Sequence, residues 1–382
     1  MKIIADENMP NVAKLFSSFA GVELVNGRTL TNAQVKDADA LLVRSVTKVN
    51  QALLEGSSVR FVGSATIGVD HIDTDYLARQ NIAFTSAPGC NAEAVADYVF
   101  SALGYLSLSK ELTWLNKKIG VIGYGNVGKI VYDRFVALGC NVCVYDPFKQ
   151  AAAMDLENSQ TNFVSLEAVL SCEVVSLHAP LTKTGAHPTE GMINASLLAR
   201  VCAGTTIVSA GRGGVIDEQA LKDLHTRLNG NLNLVLDVWH GEPIIDLATL
   251  AIVDIATPHI AGYSKQGREK GTWMVYKAFC EHFGFTEYLS LNDAVTDGRI
   301  RSINIKEDLI TEELLARSMH AIYDVARDDA RLRGKFRGNA DQSTFDWLRK
   351  HYVERDEFNT CVILNDGQAA IKTLQAIGFK VK

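Results

Sequence analysis

Short apolar runs alternate with longer mixed segments through the first 110 residues, at 2–5, 40–43, 59–63 and 82–84. Runs this short, bounded by polar and turn-forming residues, predict strands, and the segments between them predict helices, so the rhythm is βα. Over 92–108 the residues Val95, Ala96, Val99, Phe100, Leu103 and Leu106 recur at helical spacing. That spacing predicts a helix leaving the first domain, with Asn91 as its cap. A second series begins at Lys118, with strand-like runs at 119–122, 141–145, 174–177, 206–209, 232–236 and 254–256. Their apolar, β-branched character suits parallel strands buried on both faces.

After Pro258 the pattern turns helical over 265–283, a segment expected to return to the first domain and make it discontinuous. From 286 onward the character changes. A charged stretch at 297–313 precedes an amphipathic helix around 314–330 and an isolated strand candidate at 360–364. This third α/β module carries no motif that chemistry claims, so assembly is its expected role. The domains expected are 1–95 with 258–285 for substrate, 96–257 for nucleotide, and 286–382 at the C-terminus.

With 382 residues, 47% hydrophobic and 21% charged, the chain can form two or three cores. A formal charge of −6 gives no broad basic field, which argues against nucleic acid as a partner. No apolar run reaches the ~18 residues of a membrane span, and the start MKIIADEN has no secretory pattern, so a cytoplasmic protein without a membrane partner is expected. The seven cysteines at 90, 140, 143, 172, 202, 280 and 361 are odd in number and scattered, which fits reduced thiols. Cys140 and Cys143 form a CxxC with no second metal-ligand pair nearby, and read as buried strand cysteines; no metal is expected.

The run Gly123-Tyr124-Gly125-Asn126-Val127-Gly128 directly follows a strand and opens a helical pattern. Gly123 permits a tight turn, Gly125 lets backbone approach a pyrophosphate, and Gly128 lets helix and strand pack closely. Asp146 ends the next strand 18 residues after Gly128, where a carboxylate accepts both hydroxyls of an adenosine ribose and repels a 2′-phosphate. NAD is the expected cofactor.

Three polar segments also follow strands, and each carries one reactive residue: Arg212, Glu242 and His259. In an open parallel sheet such ends face ligand. Arg212 offers a planar fork for a carboxylate, His259 titrates near working pH and accepts a hydroxyl proton, and Glu242 orients the imidazole. Arg44, beside Ser45 after an early strand, suits a phosphate. His178 reads as a strand-end residue near the cofactor; His71, His187 and His240 have no partner that spacing identifies, and Trp239 reads as packing.

The glycine run, Gly211-Arg212-Gly213-Gly214-Val215-Ile216-Asp217, Gly241-Glu242-Pro243 and Thr257-Pro258-His259-Ile260-Ala261-Gly262 together resemble the D-2-hydroxyacid dehydrogenase family over residues 1 to 285. The resemblance implies a Rossmann-type NAD-binding domain inserted in a flavodoxin-like substrate domain, with Arg212, Glu242 and His259 as the active-site triad. Val43-Arg44-Ser45-Val46-Thr47, the stretch Ser64 to His71, Ala261-Gly262-Tyr263-Ser264 and the C-terminal extension resemble the branch acting on small phosphorylated 2-hydroxy acids. The resemblance carries over Ser45, Thr66 and Tyr263 as substrate contacts, and Asn126, Val127, Asp146, Asp237 and Gly262 as nucleotide contacts. Ala179 stands where relatives can have Thr, which leaves a backbone contact. It also implies homodimerisation through a small α/β domain at 286–382. A substrate one carbon shorter, and a nucleotide-sensing corepressor-like role, are the alternatives; the C-terminal extension and Tyr263 favour the four-carbon acid.

Overall fold

In the computed structural model, which describes residues 1–19, 21–154, 161–337 and 341–382, the chain divides into two units. One is Met1–Asn91 with Ser264–Asp297, the other Ala92–Tyr263 with Gly298–Lys382. The divisions thus fall after Asn91, Tyr263 and Asp297, where the sequence placed them after 95, 257 and 285.

The first unit holds five parallel strands: β1 (Lys2–Asp6), β2 (Gly21–Val25), β3 (Ala40–Val43), β4 (Phe61–Ser64) and β5 (Ala83–Thr85). Their order, β2-β1-β3-β4-β5, is the flavodoxin-like one. The sequence pattern passes over β2 because it is an edge strand whose Glu23 and Leu24 both face solvent. The helix Lys265–Phe283 returns here as expected, burying Val275, Tyr276 and Phe279 against Ile3, Phe16 and Phe61. Glu269 then accepts the Thr296 N–H at 2.8 Å, which ties the segment up to Asp297 into this unit.

The second unit is built on six parallel strands: β6 (Lys118–Ile122), β7 (Asn141–Tyr145), β8 (Val174–Leu177), β9 (Thr206–Ser209), β10 (Asn233–Leu236) and β11 (Ile255–Ala256). They run in the order β11-β10-β9-β8-β6-β7, so the direction of winding reverses between β6 and β8. Ligand-binding crevices form at such reversals, outside the carboxyl ends. Those ends lie level: Tyr145 pairs with Ile122, Ile122 with Leu177, Leu177 with Ser209, Ser209 with Leu236, and Leu236 with Ala256. Cys140 and Cys143 are buried beside and within β7, and Cys143 Sγ lies 3.4 Å from Cys172 Sγ, both as free thiols.

The helix Ala92–Lys110 is buried along most of its length. Asn91 does not cap it, since its Oδ1 is buried without a partner. The helix Glu312–Ile322 packs on it where Gly104 faces Ala316, and Ser101 donates to the Tyr323 carbonyl at 2.7 Å. The expected helix at 314–330 is in fact two, because Tyr323 is extended and the Asp324 side chain caps a new helix, Val325–Phe336. The strand expected alone at 360–364 is the middle of three parallel strands: β12 (Ser302–Asn304), β13 (Val362–Leu364) and β14 (Lys380–Val381). Its neighbours are too short and polar to show as apolar runs. Asp97, 1% exposed, accepts from Arg134 Nη1 at 2.8 Å and from the Phe358 N–H at 2.9 Å, joining the long helix, the helix Asn126–Ala137 and the C-terminal region.

Candidate active site

Gly123 directly follows β6 with φ +88°, a conformation that L side chains avoid. Gly128 has no room for a Cβ, which would run into the Gly123 carbonyl oxygen. At Gly125 a Cβ would meet nothing within 4 Å, and no side chain caps the helix Asn126–Ala137 that it precedes. The first-turn N–H groups therefore face an open approach suited to a pyrophosphate, so these residues fit a dinucleotide. Asn126 is exposed and Val127 half-buried in that turn. Asp146, one residue past β7, accepts the Tyr124 N–H at 2.8 Å through Oδ2 and the Lys149 N–H at 3.0 Å through Oδ1. Backbone donors thereby fix the carboxylate against the glycine loop, leaving lone pairs for ribose hydroxyls.

Past β8, the Ala179 amide sits so close to Gly123 that a Cβ there would approach it to 2.9 Å. His178 bonds Ser176 Oγ through Nε2 at 2.8 Å, while its Nδ1 is buried without a partner. Desolvation lowers its pKa to about 3, so the ring is neutral at physiological pH.

Arg212, Glu242 and His259 follow three neighbouring strands, β9, β10 and β11. Gly213 lets this first loop close onto Trp239, whose carbonyl oxygen leaves no space for a Cβ. Arg212 is exposed; its Nη1 donates to the Gly211 carbonyl at 2.9 Å. Glu242 Oε1 lies 2.5 Å from His259 Nδ1, and Glu242 Oε2 accepts the Trp239 N–H at 3.4 Å. The carboxylate thus assigns the proton to Nδ1 and leaves Nε2 as the basic nitrogen.

His259 itself has φ +55°, a left-handed backbone that costs about 1 kcal/mol or more for a residue with a Cβ. Asp237 holds it there. The Asp237 carbonyl accepts the His259 N–H at 2.7 Å, Oδ1 accepts the Ile260 N–H at 2.7 Å and the Thr257 hydroxyl at 2.6 Å, and Oδ2 accepts the Ala261 N–H at 2.9 Å. At 1% exposure this carboxylate is spent on the loop, a role that its place after a strand does not announce. Gly262 and Tyr263 are half-buried just beyond; the Tyr263 ring packs edge-on against Tyr352 with centroids 5.6 Å apart.

The first unit holds the remaining predicted residues at the ends of its own strands. Arg44 follows β3; its Nη1 donates to the Asn8 carbonyl at 3.4 Å and lies 3.9 Å from Asp6. Ser45 is exposed beside it. Thr66, past β4, shares a hydrogen bond with Ser64 Oγ at 2.7 Å, and Ser64 in turn meets His71 Nε2 at 3.0 Å. Sequence spacing gave His71 no partner, because the link runs through a hydroxyl buried inside the strand.

Comparison with known proteins places the fold and the family. The family model described as D-isomer specific 2-hydroxyacid dehydrogenase, NAD binding domain, matches residues 107–261, and a domain of unknown function matches 296–378. Among solved structures, NAD⁺-bound 3-phosphoglycerate dehydrogenase of Entamoeba histolytica aligns at TM-score 0.59 and 25% identity over 74% of this chain and 95% of its own. D-lactate dehydrogenase from Aquifex aeolicus aligns at TM-score 0.57 and 24% identity over 74% and 96%. The fold is that of the D-2-hydroxyacid dehydrogenases. Erythronate-4-phosphate dehydrogenase of Marinomonas sp. (strain MWYL1) is 65% identical over 382 residues, covering 100% of this chain and 99% of the relative. The same-named protein of Cellvibrio japonicus (strain Ueda107) is 42% identical with 100% of both covered. The chain belongs to the erythronate-4-phosphate dehydrogenase family.

Proposed function

We propose that this protein oxidises 4-phospho-D-erythronate with NAD to (R)-3-hydroxy-2-oxo-4-phosphooxybutanoate, a step toward pyridoxal 5′-phosphate. The observation that carries the reading is the Glu242–His259 pair, 2.5 Å apart, on a sheet whose other strand ends, at β6 and β7, carry the glycine loop and Asp146. NAD, when bound, supplies the hydride acceptor. Arg212 holds the substrate carboxylate, His259 takes the C2 hydroxyl proton on Nε2, and Glu242 stabilises the imidazolium that results. Gly123, Gly125, Asn126, Val127, Gly128, Asp146, Ala179 and Gly262 bind the nucleotide, and Asp146 selects NAD over NADP by repelling a 2′-phosphate. Asp237 shapes the loop that presents His259. Arg44, Ser45, Thr66 and Tyr263 contact substrate, with Arg44 facing the phosphate.

Homodimerisation through the C-terminal region fits the exposed Ile300, Leu309, Trp347 and Leu364 found there. Among the described residues no helix is long and apolar enough to cross a membrane. A cytoplasmic site of action is part of the proposal. The deciding experiment compares 4-phosphoerythronate with 3-phosphoglycerate at matched NAD. Preference for the former by kcat/KM supports the assignment; preference for the latter moves the chain to the three-carbon substrate. No turnover of either, with cofactor-dependent capture of a protein, would favour a sensing role.

A further inference from the structure

The loop that carries His259 is held from both sides. Asp237 takes the N–H of Ala261, and the carbonyl of that same residue accepts from Arg355 Nη2 at 2.5 Å. Arg355 comes from the C-terminal region, more than ninety positions further along the chain. The same nitrogen donates to the Ala94 carbonyl at 2.9 Å, in the first turn of the long helix Ala92–Lys110. The guanidinium lies over the Tyr323 ring, with Cζ 3.8 Å from the centroid, and is 1% exposed. Tyr323 is itself fixed, its carbonyl by Ser101 and its hydroxyl by Asp328 at 3.1 Å. Tyr352, which packs on the next loop residue but one, donates to the same Asp328 oxygen at 2.8 Å.

We infer that Arg355 is a positioning residue for the reaction: it fixes the Ala261 carbonyl, and through it the left-handed backbone that aims His259. The inference rests on the proposed dehydrogenase function. The Arg355 charge offsets the buried carboxylates of Asp97 and Asp328, yet as a device for stability alone the side chain leaves donors unused. Its Nε and Nη1 are buried with no hydrogen-bond partner, and a buried donor left unpaired is destabilising. An apolar side chain of similar volume would avoid that. What the guanidinium does supply is one nitrogen bridging two backbone carbonyls, one on a rigid helix and one on the loop. His259 lies two residues from the second carbonyl, so losing the Arg355 bond leaves the strained φ sustained from the Asp237 side alone and loosens the aim of the imidazole.

The test uses the full-length enzyme and its variants Arg355→Met and Arg355→Lys, with circular dichroism to establish folding and NAD affinity measured by fluorescence titration. The assay is oxidation of 4-phosphoerythronate with and without deuterium at C2. Misplacing the base slows the chemical step itself, so Arg355→Met is expected to lower kcat at least about tenfold and to raise the deuterium isotope effect on kcat, with NAD affinity within about threefold of native. Arg355→Lys keeps a donor for both carbonyls and is expected to retain at least about a third of kcat, with a near-native isotope effect. The inference is overturned if folded Arg355→Met has kcat within about twofold of native, or if its lost activity comes with an unchanged isotope effect. Should Arg355→Met not fold, Arg355→Lys still decides: a folded protein with kcat reduced more than about tenfold and the native isotope effect refutes the positioning role. If the native enzyme turns over no 2-hydroxy acid at all, the proposed function fails first, and that result is separate from any difference among variants.

Discussion

Glu242→Gln removes one negative charge while preserving side-chain length and shape. In the native chain the carboxylate oxygen is 2.5 Å from His259 Nδ1, and the two side chains are 24% and 26% exposed. Opposite charges roughly 4 Å apart at an effective dielectric of about 20 attract by about 4 kcal/mol. Solvent reaching a quarter of each group reduces this, toward the ~1.5–3 kcal/mol net of a hydrogen bond to a charged partner. Of that, about 2 kcal/mol appears only as the imidazolium forms, so it acts on the transition state and not on the bound substrate. The expected result is a kcat for oxidation lowered about 30-fold, with NAD affinity within about twofold of native. Initial rates of NADH formation at saturating substrate, with nucleotide affinity from fluorescence, make the measurement. A kcat within about threefold of native would refute the charge argument; a loss confined to nucleotide affinity would move Glu242 from the proton-transfer site to the cofactor site.

Gly128→Ala drives a Cβ into the Gly123 carbonyl, so NAD affinity is expected to fall at least about tenfold or the protein to melt markedly earlier; native melting and affinity by thermal shift and titration would contradict this. Asp146→Ser is expected to raise the KM for NAD about tenfold and to narrow the preference over NADP, and an unchanged ratio of kcat/KM values for the two cofactors would count against the carboxylate. For His178, the folded pKa of about 3 lies below the ordinary 6.5, so the unfolded chain binds the extra proton. Its contribution is intact above pH 6.5 and drains as pH falls toward 3, at about 1.4 kcal/mol per pH unit. Urea unfolding between neutral and mildly acidic pH should therefore show a shallower stability loss in His178→Gln than in the native protein, and equal slopes would remove His178 as the cause.

The proposed nucleotide site is legible in the sequence because each of its residues answers a local demand. Gly123 needs a positive φ, Gly128 needs the absence of a Cβ, and Asp146 must end the next strand; all three demands leave marks at fixed spacing. The Glu242–His259 pairing could be expected from the strand-end rule, and the structure brings the two side chains together. Asp237 was seen only as a nucleotide contact by resemblance, since a buried carboxylate that accepts backbone N–H groups has no periodicity. The same holds for Ser64 and His71, linked through a hydroxyl, and for Arg355, whose partners are carbonyl oxygens that any residue possesses. Edge strand β2 and the flanking strands of the C-terminal sheet escaped because solvent on one side removes the apolar run that marks a buried strand.

The level strand ends of the nucleotide-binding sheet make its functional groups intolerant of indels. Gly123, Asp146, Asp237 and Thr257 each stand one position after the last paired residue of β6, β7, β10 and β11. A single residue inserted within any of these strands would shift its exit point by about 3.3 Å and turn every side chain beyond it to the opposite face. Length changes are therefore expected to accumulate at the amino-terminal rim, where the helices deliver the chain back and no reacting group depends on the count.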